Sequence, residues 1–159
     1  MLVKKIIEED FNDYGKKISM FIAFPKCDFK CDKECGKQVC QNSALALSPN
    51  IDISIDQIVK SYLDNDLTEA IVCGGLEPFD SWNDLFDLVE SFRVHTDDDI
   101  VIYTGYTFTE VADKIYSLSN FKNIIVKFGR FMPDQESHYD EILGVNLASN
   151  NQRAEKISR

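Results

Sequence analysis

The sequence predicts an α/β fold, a single domain over residues 1–159 built on a mainly parallel sheet with alternating helices. Three observations predict it. Four short runs are apolar at nearly every residue rather than at every second one, the mark of strands buried on both faces. The segments between the later runs repeat apolar residues at helical spacing. Each run also ends in proline or glycine, so strand and helix alternate with clear stops. With 44% hydrophobic residues in 159, the chain is long enough to bury one sizeable core.

A weak alternation over residues 2–7 reads as an edge strand. Residues 18–24 form the first buried strand, which Pro25 ends. A cysteine-rich loop follows, then "QNSALALSPN", a short helix or turn stopped by Pro49. Ser54 with Gln57 makes a capping box, opening a helix whose apolar side is Ile55, Ile58, Val59, Tyr62 and Leu63. The second strand, residues 70–73, runs into Gly74 and Gly75. Ser81 is a candidate cap for a helix with Trp82, Leu85, Phe86, Val89 and Phe92 at core spacing. The third strand, residues 100–103, ends at Thr104 and Gly105. Thr107 with Glu110 is a further capping box, leading a helix that buries Phe108, Val111, Ala112, Ile115 and Leu118. The fourth strand, residues 123–126, leads to Gly129 and Arg130. Beyond Phe131 the pattern is irregular, and residues 149–159 read as a polar C-terminal tail with at most one helical turn.

The charge excludes some partners. With 27 acidic and 17 basic residues the net charge is −10, a surface that repels phosphate backbones and anionic membranes. Neither nucleic acid nor membrane is an expected partner. The opening residues lack the apolar core of a signal peptide, and no run approaches the length of a membrane span, so a cytoplasmic location is expected.

Four of the five cysteines lie in residues 27–40, "CDFKCDKECGKQVC". Such bunching in a polar segment marks a metal or cluster site, and a reducing compartment favours metal over disulfides. Cys27, Cys31, Cys35 and Cys40 have the number and chemistry to close a tetrahedron around zinc. Zinc ligands more often come as two separated pairs, whereas compact runs of thiolates also hold iron–sulfur clusters. The cysteines by themselves leave both open. In a parallel sheet ligands bind at the carboxyl ends of the strands. Here those ends carry the cysteines, "GGLEP", "TGY" and "GR" in turn.

That order of motifs resembles the radical S-adenosylmethionine proteins, and within them the activating proteins of anaerobic ribonucleotide reductase. The similarity runs through "YTGYTF" and "GRF" to "LASNNQR", which is similar to their "SSNQR" ending, and so spans nearly the whole chain. Two departures stand out. The family's C-x3-C-x2-C spacing is met by Cys27 and Cys31 but not by the third cysteine, which is Cys35 with one extra residue or Cys40 with six. Cys40 fits better: Gln41 and Asn42 follow it as in the family's "CYN", and apolar Val39 precedes it where the family places a side chain against adenine. Leu76 splits the family's "GGEP".

The resemblance implies a short partial (βα) barrel of the radical S-adenosylmethionine type. It implies a [4Fe-4S] cluster on Cys27, Cys31 and Cys40, with Cys35 the other candidate, and S-adenosylmethionine as second cofactor. Reductive cleavage would give a 5′-deoxyadenosyl radical that activates a glycyl radical enzyme such as anaerobic ribonucleotide reductase. A reduced flavodoxin- or ferredoxin-type protein would be the electron donor. Gly74, Gly75 and Glu77 would take the methionyl ammonium. By strand-end position, Thr104 and Gly105 would line the ribose side and Arg130 would face the carboxylate. Two other classes stand beside this enzyme, a zinc-stabilised interaction module without catalysis and a degenerate relative that holds a cluster for electron transfer. Cys73 reads as a core thiol, His95 and His138 as surface or turn residues, and Asp97, Asp98 and Asp99 as a solvated turn.

Overall fold

The computed structural model describes residues 1–158. Two short strands, β1 (Leu2–Val3) and β2 (Lys5–Asp10), open the chain where one was expected. The first apolar run is β3 (Ser19–Phe24), buried at all six residues. The cysteine segment contains α1 (Lys30–Cys35), and "SALAL" forms α2 (Ser43–Leu47). There follow β4 (Ile51–Asp52), α3 (Ile55–Leu63), β5 (Ala70–Gly75), a 3-10 turn at Pro78–Ser81 and α4 (Trp82–His95). Next are β6 (Asp99–Tyr103), a 3-10 turn at Thr109–Val111, α5 (Ala112–Leu118) and β7 (Ile124–Phe128). Three short strands complete the fold, β8 (His138–Asp140), β9 (Val145–Leu147) and β10 (Arg153–Lys156). Among the described residues no helix is long and apolar enough to cross a membrane.

The caps follow the sequence unevenly. At α3 the box is complete: the Ser54 hydroxyl accepts from the Gln57 N–H at 3.2 Å, and Gln57 Oε1 accepts from the Ser54 N–H at 3.1 Å. Ser81 caps nothing, because a 3-10 turn begins three residues earlier and the Glu77 carboxylate opens it, accepting from the Phe79 N–H. At Thr107 the Glu110 carboxylate reaches back to the Thr107 N–H at 2.8 Å, but the threonine hydroxyl donates to that same carboxylate and leaves the helix N–H groups alone.

The sheet is mixed and six-stranded, in the order β10-β7-β6-β5-β3-β2. Its four central strands are parallel, β2 and β10 are antiparallel edges, and no closed barrel forms. Residues 153–156, expected in a polar tail, are thus an edge strand, with Arg153 opposite Phe128 and Lys156 opposite Ile125. Only Ala154 of this strand is buried, and an edge strand with one small inward residue carries almost no apolar signal. The pairing spares β7 an unpaired row of backbone donors and acceptors.

Alternation along the strands sorts the core into two faces. Met20, Ile22, Phe24, Ile71, Cys73, Ile100, Ile102, Ile124 and Val126 pack in one cluster with Ile58 of α3, Leu85 and Leu88 of α4, and Ile115 and Leu118 of α5. The opposite face, Phe21, Ala23, Val72, Val101 and Ile125, meets Tyr14, Leu143, Leu147 and Ala154. All three long helices therefore cover one face, while the turn at Tyr14 and the β8–β9 hairpin partly cover the other.

Because the α3 cap is complete and exposed, Ser54→Ala should lower stability by about 1 kcal/mol. The midpoint of a urea unfolding curve reads this; an unmoved midpoint would mean the cap contributes nothing.

Candidate functional site

The four parallel strands end at one edge of the sheet, and a cavity of about 560 Å³ opens there on the face the helices leave free. Cys27, Cys31, Cys40, Gly74, Gly75, Glu77, Thr104, Gly105 and Arg130 all line it. Cys35 and Val39 are not among its lining residues. Two chain segments separated by most of the domain are brought in as well, Asp10, Asn12 and Asp13 at the end of β2 and Val145 to Ala148 at β9. The first carried no signal in the sequence, and the second was marked only where "LASNNQR" begins at Leu147.

The cysteine segment turns twice through left-handed backbone, at Phe29 (φ 55°) to enter α1 and at Gly36 (φ 66°) to leave it. The Phe29 N–H donates to the Cys27 sulfur at 3.3 Å, and the backbone of Phe131, beyond β7, bonds the sulfur of Cys31. Burial pushes the Cys27 thiol up to about 11, and the nearby carboxylates of Glu77 and Asp80 and the Cys40 thiol add to the shift. Burial likewise raises Cys31, with Cys40 again contributing, so Cys40 stands close enough to act on both. No three cysteine sulfurs among the described residues lie within 4.8 Å of one another. Tetrahedral zinc, with Zn–S near 2.3 Å, needs sulfurs about 3.8 Å apart. The cysteines are thus spread wider than one ion requires. The fifth cysteine, Cys73, is wholly buried on the helix-covered face, and burial pushes its thiol up to about 12.

Gly75 needs to be glycine: its φ is +82°, and a Cβ there would lie 2.8 Å from the Cα of Ala23 on the neighbouring strand. Its carbonyl already accepts from Asn42 Nδ2 at 2.7 Å, which clasps the residues after the last cysteine onto the glycine turn. Glu77 is also engaged. Its Oε1 accepts from the Thr104 hydroxyl at 2.8 Å and the Phe79 N–H at 3.1 Å, and its Oε2 accepts from the Gly105 N–H at 2.8 Å. Thr104 and Gly105 therefore meet Glu77 directly, and the carboxylate ties the end of β5 to the end of β6. Burial outweighs these three bonds and pushes the Glu77 carboxyl up to about 7.

Arg130, expected to face a ligand carboxylate, has one inside the protein. Its guanidinium makes a two-pronged pair with Glu110, at 3.0 and 2.6 Å, and a further contact with Glu34 at 3.3 Å. The pair with Arg130 holds the Glu110 carboxyl down at about 2. A buried cation without an ion pair lines the cavity instead, Lys127. It is only 7% exposed, donates to the Gly129 carbonyl at 2.9 Å, and forms no ion pair among the described residues. Burial pulls its ammonium down to about 8. A lysine inside the apolar run "IIVKF" was the signal that reading by strand ends passed over.

A family model described as a 4Fe-4S single cluster domain matches residues 11–154. No curated protein and no solved structure matches the chain.

Since the Glu77 carboxyl is raised from 4.5 to about 7 in the folded protein, the native state binds more protons there than the unfolded chain does. Its contribution to stability therefore falls as pH rises from 4.5 to 7. In metal-free protein, Glu77→Gln should flatten the decline in urea midpoint between pH 5 and pH 7.5. An identical slope in both proteins would place the titration elsewhere.

Proposed function

The chain belongs to the 4Fe-4S single cluster domain family and is an iron–sulfur protein, and on that premise we propose that it is a radical S-adenosylmethionine enzyme that activates a glycyl radical enzyme. The observation that carries the reading is the meeting of three cysteines, the glycine turn and the β6 turn around one cavity. Three cysteine ligands on a four-iron cluster leave one iron for a substrate.

The donor set fits the cluster. Cys27, Cys31 and Cys40 face one space, two of their sulfurs accept backbone hydrogen bonds, and the buried Lys127 ammonium acts on Cys31 and on Glu77 without an ion pair to either. In this reading those three cysteines hold the [4Fe-4S] cluster and Cys35 stands aside. When bound, the cluster supplies the electron that cleaves the carbon–sulfur bond of S-adenosylmethionine. Gly74 and Gly75 keep side chains off the ligand, and Lys127 takes the carboxylate that the sequence assigned to Arg130. Arg130 holds α1 through Glu34 and the β6–α5 connection through Glu110. In this reading the sheet with its helices on one face is the core of a partial (βα) barrel, and its uncovered side admits the glycine loop of a protein substrate. The electron would come from a reduced flavodoxin- or ferredoxin-type donor.

One observation favours a second reading. The Gly75 carbonyl and both oxygens of Glu77, the acceptors expected for the methionyl ammonium, already have partners within the protein. A cluster-holding electron carrier that does not bind S-adenosylmethionine would show this arrangement.

Electron paramagnetic resonance on anaerobically reconstituted, dithionite-reduced protein separates the readings. About four irons per chain and a signal that changes on adding S-adenosylmethionine are expected. A signal indifferent to that ligand would favour the electron carrier, and zinc without iron would overturn both. Lys127→Met should weaken the S-adenosylmethionine effect about tenfold or more, as loss of a hydrogen bond to a charged group does. An unchanged titration would remove Lys127 from the carboxylate site.

A further inference from the structure

Cys31 and Cys35 lie four residues apart in α1 and so share one side of the helix, while Cys40 stands on an irregular segment beyond it. None of the six residues of α1 is buried. Hydrophobic packing therefore does not decide which thiol joins Cys27 and Cys31. A polar contact does. Asp32 Oδ1 accepts from the Val39 N–H and from the Cys40 N–H, both at 2.8 Å. Among the described residues no other side chain bonds residues 36–41, and Gly36, Lys37 and Gln38 are exposed.

We propose that Asp32 selects Cys40 as the third cluster ligand, a positioning role that rests on the cluster reading given above. By gripping the backbone of Cys40 and of the residue before it, the carboxylate closes residues 32–40 into a loop with Cys40 on the cavity and Cys35 outside it. Closing such a loop costs chain entropy, and two hydrogen bonds to one oxygen offset it. Without them the segment 36–40 swings free, and Cys35, held in α1 beside Cys31, competes for the cluster. A carboxylate beside an anionic cluster is electrostatically unfavourable, which makes its place here a matter of geometry rather than charge.

The test compares Asp32→Ala, Asp32→Asn, Cys35→Ser, Cys40→Ser and the Asp32→Ala/Cys35→Ser double variant. Two quantities are read: iron and acid-labile sulfide after anaerobic reconstitution, and amide deuterium exchange of residues 36–41 in metal-free protein. In Asp32→Ala, exchange should speed about tenfold. Cluster content should fall and become dependent on Cys35, so that the double variant holds less cluster than Asp32→Ala. Asn keeps the accepting oxygen, so Asp32→Asn should behave as the parent protein does. In the parent background Cys35→Ser should keep the cluster and Cys40→Ser should lose it. The proposal is overturned if Asp32→Ala exchanges at the parent rate and keeps its cluster without needing Cys35. It is also overturned if Asp32→Asn fails as Asp32→Ala does, since charge would then matter rather than geometry. A parent protein that takes up no iron overturns the ligand choice through the reading beneath it. That result is separable, because exchange at residues 36–41 reports the tether without metal.

Discussion

The direction in which the sheet is wound governs the rest of the molecule. Strands β3, β5, β6 and β7 lie side by side in chain order, so every crossover steps the same way across the sheet. Right-handed crossovers stepping one way deliver their helices to one face, as the shared cluster of α3, α4 and α5 shows. The other face is left to a turn, a hairpin and a cavity. Parallel strands in register also end together, so four connections that are far apart in sequence converge on one edge. The cavity is what remains when the helices are all on the other side.

Buried charge at that edge is handled in two ways. Arg130 is 8% exposed and is matched by Glu110 and Glu34, which joins the cysteine helix to the turn after β6. Lys127 is equally buried and has only carbonyl hydrogen-bond partners, so the Glu77 carboxylate and the Cys31 thiol act on its ammonium without touching it. An isolated buried charge is costly unless something pairs with it. An anionic group entering the cavity would offset that cost, and thiolate-held cluster and ligand carboxylate are both of the right sign. Glu77 is the inverse case, a buried carboxyl held by three donors and still pushed toward its neutral form.

Much of the fold was legible because buried strands and amphipathic helices write their environment into residue type. The run "AIVCGG" and the spacing of Ile58, Val59 and Tyr62 needed no tertiary information. Misreadings fell where a residue's partner is distant. Asp97, Asp98 and Asp99 read as a solvated turn, which holds for exposed Asp97, whereas Asp98 and Asp99 are partly buried and accept from the Tyr62 and Tyr14 hydroxyls. Residues 153–156 read as a tail because an edge strand buries one small side chain and takes its stability from backbone pairing, which is nearly independent of sequence.

The sequence by itself determined the alternation of elements, the bunching of cysteines behind the first buried strand and the glycines that a tight strand end requires. These are local matters: propensity, periodicity and the sterics of a single residue. Only the tertiary structure decided which thiols share a cavity, that Arg130 is already paired, that Lys127 is not, and that Asp32 reaches seven and eight residues onward to hold Cys40. The physical reason is that charge and hydrogen bonding depend on distance in space. A carboxylate looks the same in the sequence whether it faces water, a guanidinium or the backbone of a cysteine.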